Sequence, residues 1–211
     1  MPESTLRFAR AYAANQLPWF APALFRCRIH LSEKVPVAAI DPHFNIYFNP
    51  KAVQTIVETG SQKEVLAELG FLWIHEICHV LREHSDRAKE RNAKPFQWNV
   101  AADLEINDSQ WKGLQMPKAF PGIFPSTFQL RNGQLVEWYY QKLFKESEEK
   151  SKSIQNFSLP NGTKLCDGLD EGSGVHGEAR PWEMEAKDAQ QLDPLNVEVC
   201  LLYTSPSPRD S

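Results

Sequence analysis

Two histidines four residues apart, with a glutamate directly after the first, stand in the run His75-Glu76-Ile77-Cys78-His79. On a helix, positions four apart differ by about 40° in azimuth, so both imidazoles project to one side and can hold one tetrahedral ion. Glu76 then stands about 100° round, beside the coordination position left open. The chemistry this suits is metal-assisted hydrolysis. An ion with three protein ligands brings the pKa of its water towards about 7, and a neighbouring carboxylate takes the proton as that water attacks a polarised carbonyl. The spacing therefore predicts one Zn2+ per chain, His75 and His79 as ligands, and Glu76 as general base and then acid.

A third ligand is needed, and the next apolar run offers one. In Trp98 to Asn107, the residues Asn99, Asp103 and Asn107 fall at i, i+4 and i+8, a polar stripe on a segment otherwise carrying Ala101, Ala102, Leu104 and Ile106. Asp103 is the expected third ligand, with Asn99 and Asn107 as outer supports. The alternative makes Asp103 a carboxylate that orients one of the histidines. Glu105, about 200° from Asp103 on the helix, is expected to point elsewhere. His84 falls five residues past His79 and on another face, which reads as a structural histidine. Arg87 is a candidate partner for Asp86, Asp103 or a substrate carboxylate. His176, in a Gly-rich run, is a candidate fourth group reaching the site from a loop. Cys78 reads as a small buried residue, and Tyr139 and Tyr140 as core or surface tyrosines rather than oxyanion donors.

Positioning these groups requires helices. Ser61 and Glu64 match a capping box, and from there a helical pattern runs to about Arg91. Its projection puts Glu68, Leu72, His75, His79, Arg82 and Asp86 on one side, and Leu66, Trp73, Ile77, Val80 and His84 on the other. Pro95 marks the next start, with a helix to about Ser109. The link Asn92 to Lys94 is short enough for antiparallel packing, and Ala101 with Ala102 permits close approach. Upstream, residues 4–16 and 18–26 have helical spacing. Arg28 to Leu31, Pro36 to Ile40 and Asn45 to Phe48 read as strands, with a turn at Asp41-Pro42-His43, and Pro50 opens a helix ended by Gly60. Leu135 to Lys145 reads as a further helix.

The chain has 211 residues, 42% of them hydrophobic, enough for one sizeable core. With 27 acidic residues against 23 Lys and Arg, and no basic cluster to track a phosphate backbone, nucleic acid is not an expected partner. No stretch reaches the length of a membrane span, and the N-terminus lacks the apolar core of a secretory signal, so a cytoplasmic location is expected. The four cysteines, at 27, 78, 166 and 200, show no paired spacing of a disulfide framework or a thiolate zinc site. The tail from Cys200 to Ser211 resembles a translated sequencing adapter and is read as an artifact.

Three blocks together carry a family resemblance: His75 to Arg87, Trp98 to Asn107, and Gly172 to Glu183. In order and spacing they resemble the metallopeptidase-like domain that precedes a von Willebrand A-like domain in bacterial and phage proteins. The resemblance implies an α+β, zincin-like fold, mostly helical, with a small three-stranded sheet over the metal-bearing helix. The leading expectation is a zinc hydrolase with a peptide or protein substrate, and in a fold of this kind Phe44 to Phe48 would be the edge strand that pairs with an extended peptide. The expected organisation is a domain over 1–150, a Gly/Pro-rich linker over 151–187, and over 188–199 the start of a truncated region whose von Willebrand A-like domain is missing. The rival expectation is a non-catalytic, metal-stabilised binding or scaffold module working with that missing domain.

Overall fold

The computed structural model describes residues 2–145 together with Arg180 and Glu183. The linker, the region after it, the adapter-like tail and His176 lie outside the described residues. The architecture is α+β: seven α-helices and one small mixed sheet among the described residues.

The centre of the fold is α4 (Gln62–Leu81), which starts as its residues dictate. The Ser61 hydroxyl accepts from the Glu64 backbone N–H, and the Glu64 side chain accepts from the Ser61 N–H at 2.9 Å, a complete capping box. Nearly every residue from Val65 to His79 is buried. A helix apolar on so much of its circumference must be enclosed by several partners. The first is α1 (Pro2–Gln16), whose buried face is Leu6, Ala9 and Ala13. Small residues let the two helices approach: a Cβ at Gly70 would lie 3.5 Å from Ala13 Cβ and 3.0 Å from Leu114 Cδ2. The Trp73 indole closes this interface by donating to the Leu6 carbonyl at 3.0 Å.

The run expected as one helix over 18–26 is a 3₁₀ turn (Pro18–Phe20) followed by α2 (Ala21–Arg26). The strands are β1 (Arg28–Leu31), β2 (Ala38–Ile40) and β3 (Asn45–Phe48), in the order β1-β3-β2. β3 runs parallel to β1 and antiparallel to β2, with Ile46 opposite Ile29 and Ile40. Ile46 and Phe48 point into the main core, where Phe48 meets Trp73 of α4 with ring centroids 5.2 Å apart. The β2–β3 turn is built around the buried Asp41 carboxylate. It accepts from the backbone N–H groups of His43 and Asn45, the Asn45 amide and the Tyr47 hydroxyl. The pairing corrects one expectation: Asn45–Phe48 is the central strand, bonded on both sides, so it has no open edge to offer a peptide. Among the described residues the outer strands are β1 and β2. Then α3 (Pro50–Thr59), capped by Asn49, leads into α4.

The helix expected to continue to Arg91 breaks. Arg82 leaves helical geometry, Glu83 adopts a left-handed conformation (φ 54°), and α5 (His84–Glu90) sets off in a new direction. Tertiary bonds outweigh local propensity here. Arg82 Nη1 donates to the Glu105 carbonyl at 2.7 Å, and Arg87 Nη1 donates to the freed Arg82 carbonyl at 3.0 Å. Next, α6 (Pro95–Asn107) is buried from Gln97 to its end and divides the interior. Its Ile106 joins the α1/α4/sheet core, while Trp98, Ala101, Ala102 and Leu104 form a second core with Ile123, Val136 and Tyr139. The last helix is short, α7 (Val136–Tyr140), continued by a π-helical turn over Gln141–Lys145.

Candidate metal centre

α4 presents His75, Glu76 and His79 towards α6, which presents Asn99, Asp103 and Asn107 at the i, i+4, i+8 positions. Nε2 of His75 and Nε2 of His79 lie 3.1 Å apart, and Asp103 Oδ1 is 3.4 Å from each. Among the described residues this is the one group of three or more such side chains able to hold an ion. The spacing is a test of fit. Ligands about 2.0 to 2.1 Å from a tetrahedral ion stand about 3.3 Å from one another. The triangle of 3.1, 3.4 and 3.4 Å matches that edge length.

The outer contacts set the direction of each imidazole. Asn107 donates its amide N–H to the Ile123 carbonyl at 2.9 Å, so its Oδ1, 3.1 Å from His75 Nδ1, is the acceptor of the His75 N–H. In the neutral ring His75 Nε2 is then the bare nitrogen, facing Asp103. His79 Nδ1 is engaged in turn, 3.0 Å from His84 Nδ1. Asn99 is buried one turn before Asp103. Arg87 does not reach the cluster: it pairs with Glu137 at 2.6 Å and with Glu105 at 3.4 Å. Cys78 is buried, its thiol pushed up to about 11 mainly by desolvation.

Electrostatics follow from crowding these groups out of water. Burial raises the Glu76 carboxyl to about 7; the Asp103 charge adds to the rise, and the charges of His75 and Arg180 oppose it. Glu76 is 5% exposed, and its Oε2 is fully buried with no hydrogen-bond partner among the described residues. Desolvation also lowers His79 to about 3, with the neighbouring His75 and His84 adding to the drop against Asp103. For Asp103 burial works upward, but the facing histidine rings, whose protonated forms would bond it, outweigh that and hold the carboxyl below its ordinary range. His75, also desolvated, is nonetheless raised, because Asp103 would bond and stabilise its protonated ring. One acid thus faces two histidines of which only one readily protonates. A divalent ion at the common point of the three ligand atoms would satisfy all of them at once.

The chain matches, over residues 2–196, the family described as "Putative metallopeptidase domain". It belongs to that family. The match takes in α4, α6 and the block from Gly172 to Glu183, so this metallopeptidase-family chain carries its histidine pair and Asp103 within the shared region. No curated protein and no solved structure matches the chain. No helix among the described residues is long and apolar enough to cross a membrane.

Three residues around the site escaped the spacing argument. His84 returns to His79 because the chain breaks after Leu81. Glu105 faces away from Asp103 as expected, yet lands under α5 and holds His84, Arg82 and Arg87. Arg180, in the third block of the resemblance, brings its charge to bear on Glu76. The signal for Glu105 was an acid in an apolar helix with two arginines in the preceding segment.

Proposed function

We propose that this chain is a zinc-dependent metallopeptidase, with His75, His79 and Asp103 as ligands of one Zn2+ and Glu76 as the general base. When bound, the ion would supply Lewis acidity and an acidified water. The protein supplies the rest. In their neutral Nδ1–H forms His75 and His79 would present bare Nε2 atoms, one of them fixed by Asn107, and Asp103 contributes the charge that favours a cation over a proton. Glu76, whose carboxyl burial raises above its ordinary range, would take a proton from the attacking water and return it to the leaving amine.

The observation that carries this reading is the tetrahedral spacing of three ligand atoms beside a buried carboxylate oxygen with no hydrogen-bond partner among the described residues. A scaffold site needs no such oxygen. The test is metal content by mass spectrometry on the full chain, followed by cleavage of a mixed peptide library. The expected result is about one zinc per chain in the wild type, loss of zinc in His79→Ala and Asp103→Ala, and retention of zinc without cleavage in Glu76→Gln. A wild type free of zinc, or a Glu76→Gln protein that cleaves as fast as wild type, would sink the proposal.

A further inference from the structure

His84 is 1% exposed in the first turn of α5, and it touches His79 on the side away from the ligand cluster. Its other ring nitrogen, Nε2, lies 3.3 Å from Glu105 Oε2. The remaining groups on that carboxylate all donate: the Val136 backbone N–H at 2.6 Å, Arg87 Nη2 at 3.4 Å and Arg82 Nη1 at 3.1 Å. A carboxylate held by two guanidinium groups only accepts, so the proton between His84 and Glu105 sits on His84 Nε2. Neutral imidazole carries a single N–H, which leaves His84 Nδ1 bare. The donor across the 3.0 Å contact is then Nδ1 of His79, and Nε2 of His79 has a free lone pair facing Asp103 Oδ1 and His75 Nε2.

We infer that His84 and Glu105 are positioning residues, a relay that fixes His79 in the Nδ1–H tautomer a metal-binding Nε2 requires. The inference rests on the zinc reading above and deepens it. A His84 that donated from Nδ1 would force His79 to accept there and carry its proton on Nε2, which closes that atom to a cation. Three features hold the relay in register. The left-handed turn at Glu83 brings His84 back towards α4, Arg82 and Arg87 anchor Glu105 from the same break, and the His84 carbonyl accepts from the Trp98 indole at 2.9 Å. His75 reaches the same tautomer through Asn107 alone, so the two ligands of α4 are oriented by different helices.

The test uses the full chain in metal-free and zinc-loaded forms. Nitrogen-15 spectra of the histidine rings report the tautomers, with His84→Asn supplying the assignment. Competition with a chromophoric chelator reports zinc affinity. His84→Phe removes the acceptor and is expected to weaken zinc about 10- to 100-fold. His84→Asn, whose side-chain oxygen can stand near the lost Nδ1, is expected to restore most of that affinity. Packing alone would make both variants melt earlier yet leave the affinity of the folded protein unchanged. Wild-type affinity in His84→Phe, or an Nδ1–H tautomer at His84 in the metal-free wild type, overturns the relay and leaves the zinc reading standing. Absence of zinc from the wild type overturns both. If His84→Phe does not fold, the wild-type tautomer and the affinity of His84→Asn still decide.

Discussion

Replacing Glu76 by Gln in the metal-free protein separates the electrostatic cost of the buried carboxylate from its chemistry. Its carboxyl is raised from 4.5 to about 7, and burial is the largest cause. Because the folded value lies above the unfolded one, the group's contribution to stability is complete below about pH 4.5 and is lost as pH rises through about 7. At about 1.4 kcal/mol per unit, the full loss is about 3.5 kcal/mol, most of it falling between about pH 5 and pH 8.5. Gln keeps the shape and cannot ionise. Urea unfolding in the presence of a chelator should therefore show the mutant gaining on wild type by roughly 2 to 3 kcal/mol between those two pH values. His75, His79 and Asp103 titrate in both proteins, so their contributions cancel in the difference to first order. A gap that stays constant with pH would refute the argument, because it would mean that Glu76 ionises in the fold as easily as it does in water. With zinc bound the gap should shrink, since a nearby cation favours the carboxylate.

Two further outcomes probe the scaffold that holds the site. Trp73→Ala removes a fully buried indole that packs on Phe48 and bonds the Leu6 carbonyl. Urea unfolding should register a loss of about 3 to 5 kcal/mol, and a loss below about 1 kcal/mol would mean that α4 is not clamped between α1 and the sheet as described. Glu83→Gly puts the permissive residue at φ 54°. Relief of left-handed strain, less the added chain entropy, should raise stability by about 0.5 to 1 kcal/mol. The melting temperature should rise accordingly, and a fall would show that the Glu83 side chain contributes more than its backbone costs.

The parts of the fold that depend on near neighbours were legible in the sequence. The capping box of Ser61 and Glu64, the starts at Pro50 and Pro95, and the strands at Arg28–Leu31 and Asn45–Phe48 all lie where the residues place them. Part of the juxtaposition of His75, His79 and Asp103 was legible for the same reason: a 3.6-residue period fixes which side chains share a face, whereas the short link over 92–94 joins α5, not α4, to α6. What failed needed distant partners. Strand order is decided by where α4 lets the sheet settle, and nothing in Asn45 to Phe48 says whether it is an edge or a centre. The break after Leu81 was invisible because Arg82 and Glu83 are ordinary helix formers. The energy that bends the chain comes from Glu105 and Arg87, up to 23 residues away.

The two acids of α6 then argue for function by contrast. Asp103 and Glu105 sit two residues apart, on different faces of one helix, and both are buried. Glu105 behaves as a structural acid does. Four donors converge on it, it ties α4, α5 and α7 together, and its carboxyl is held down to about 2: burial works upward, but His84 and the two arginines outweigh it. Buried polar groups of that kind are satisfied because leaving them otherwise costs about 1 to 3 kcal/mol each. Glu76 breaks the rule. It is as deeply buried as Glu105, yet its Oε2 has no partner among the described residues, and its carboxyl is pushed up rather than down. The same helices that satisfy four donors around Glu105 leave Glu76 bare beside three converging ligand atoms. An unpartnered buried atom alone does not mark a site, since Ser85 Oγ and Arg10 Nε share that state among the described residues; what sets Glu76 Oε2 apart is its place beside the three ligand atoms, where the proposed function would have it meet the attacking water.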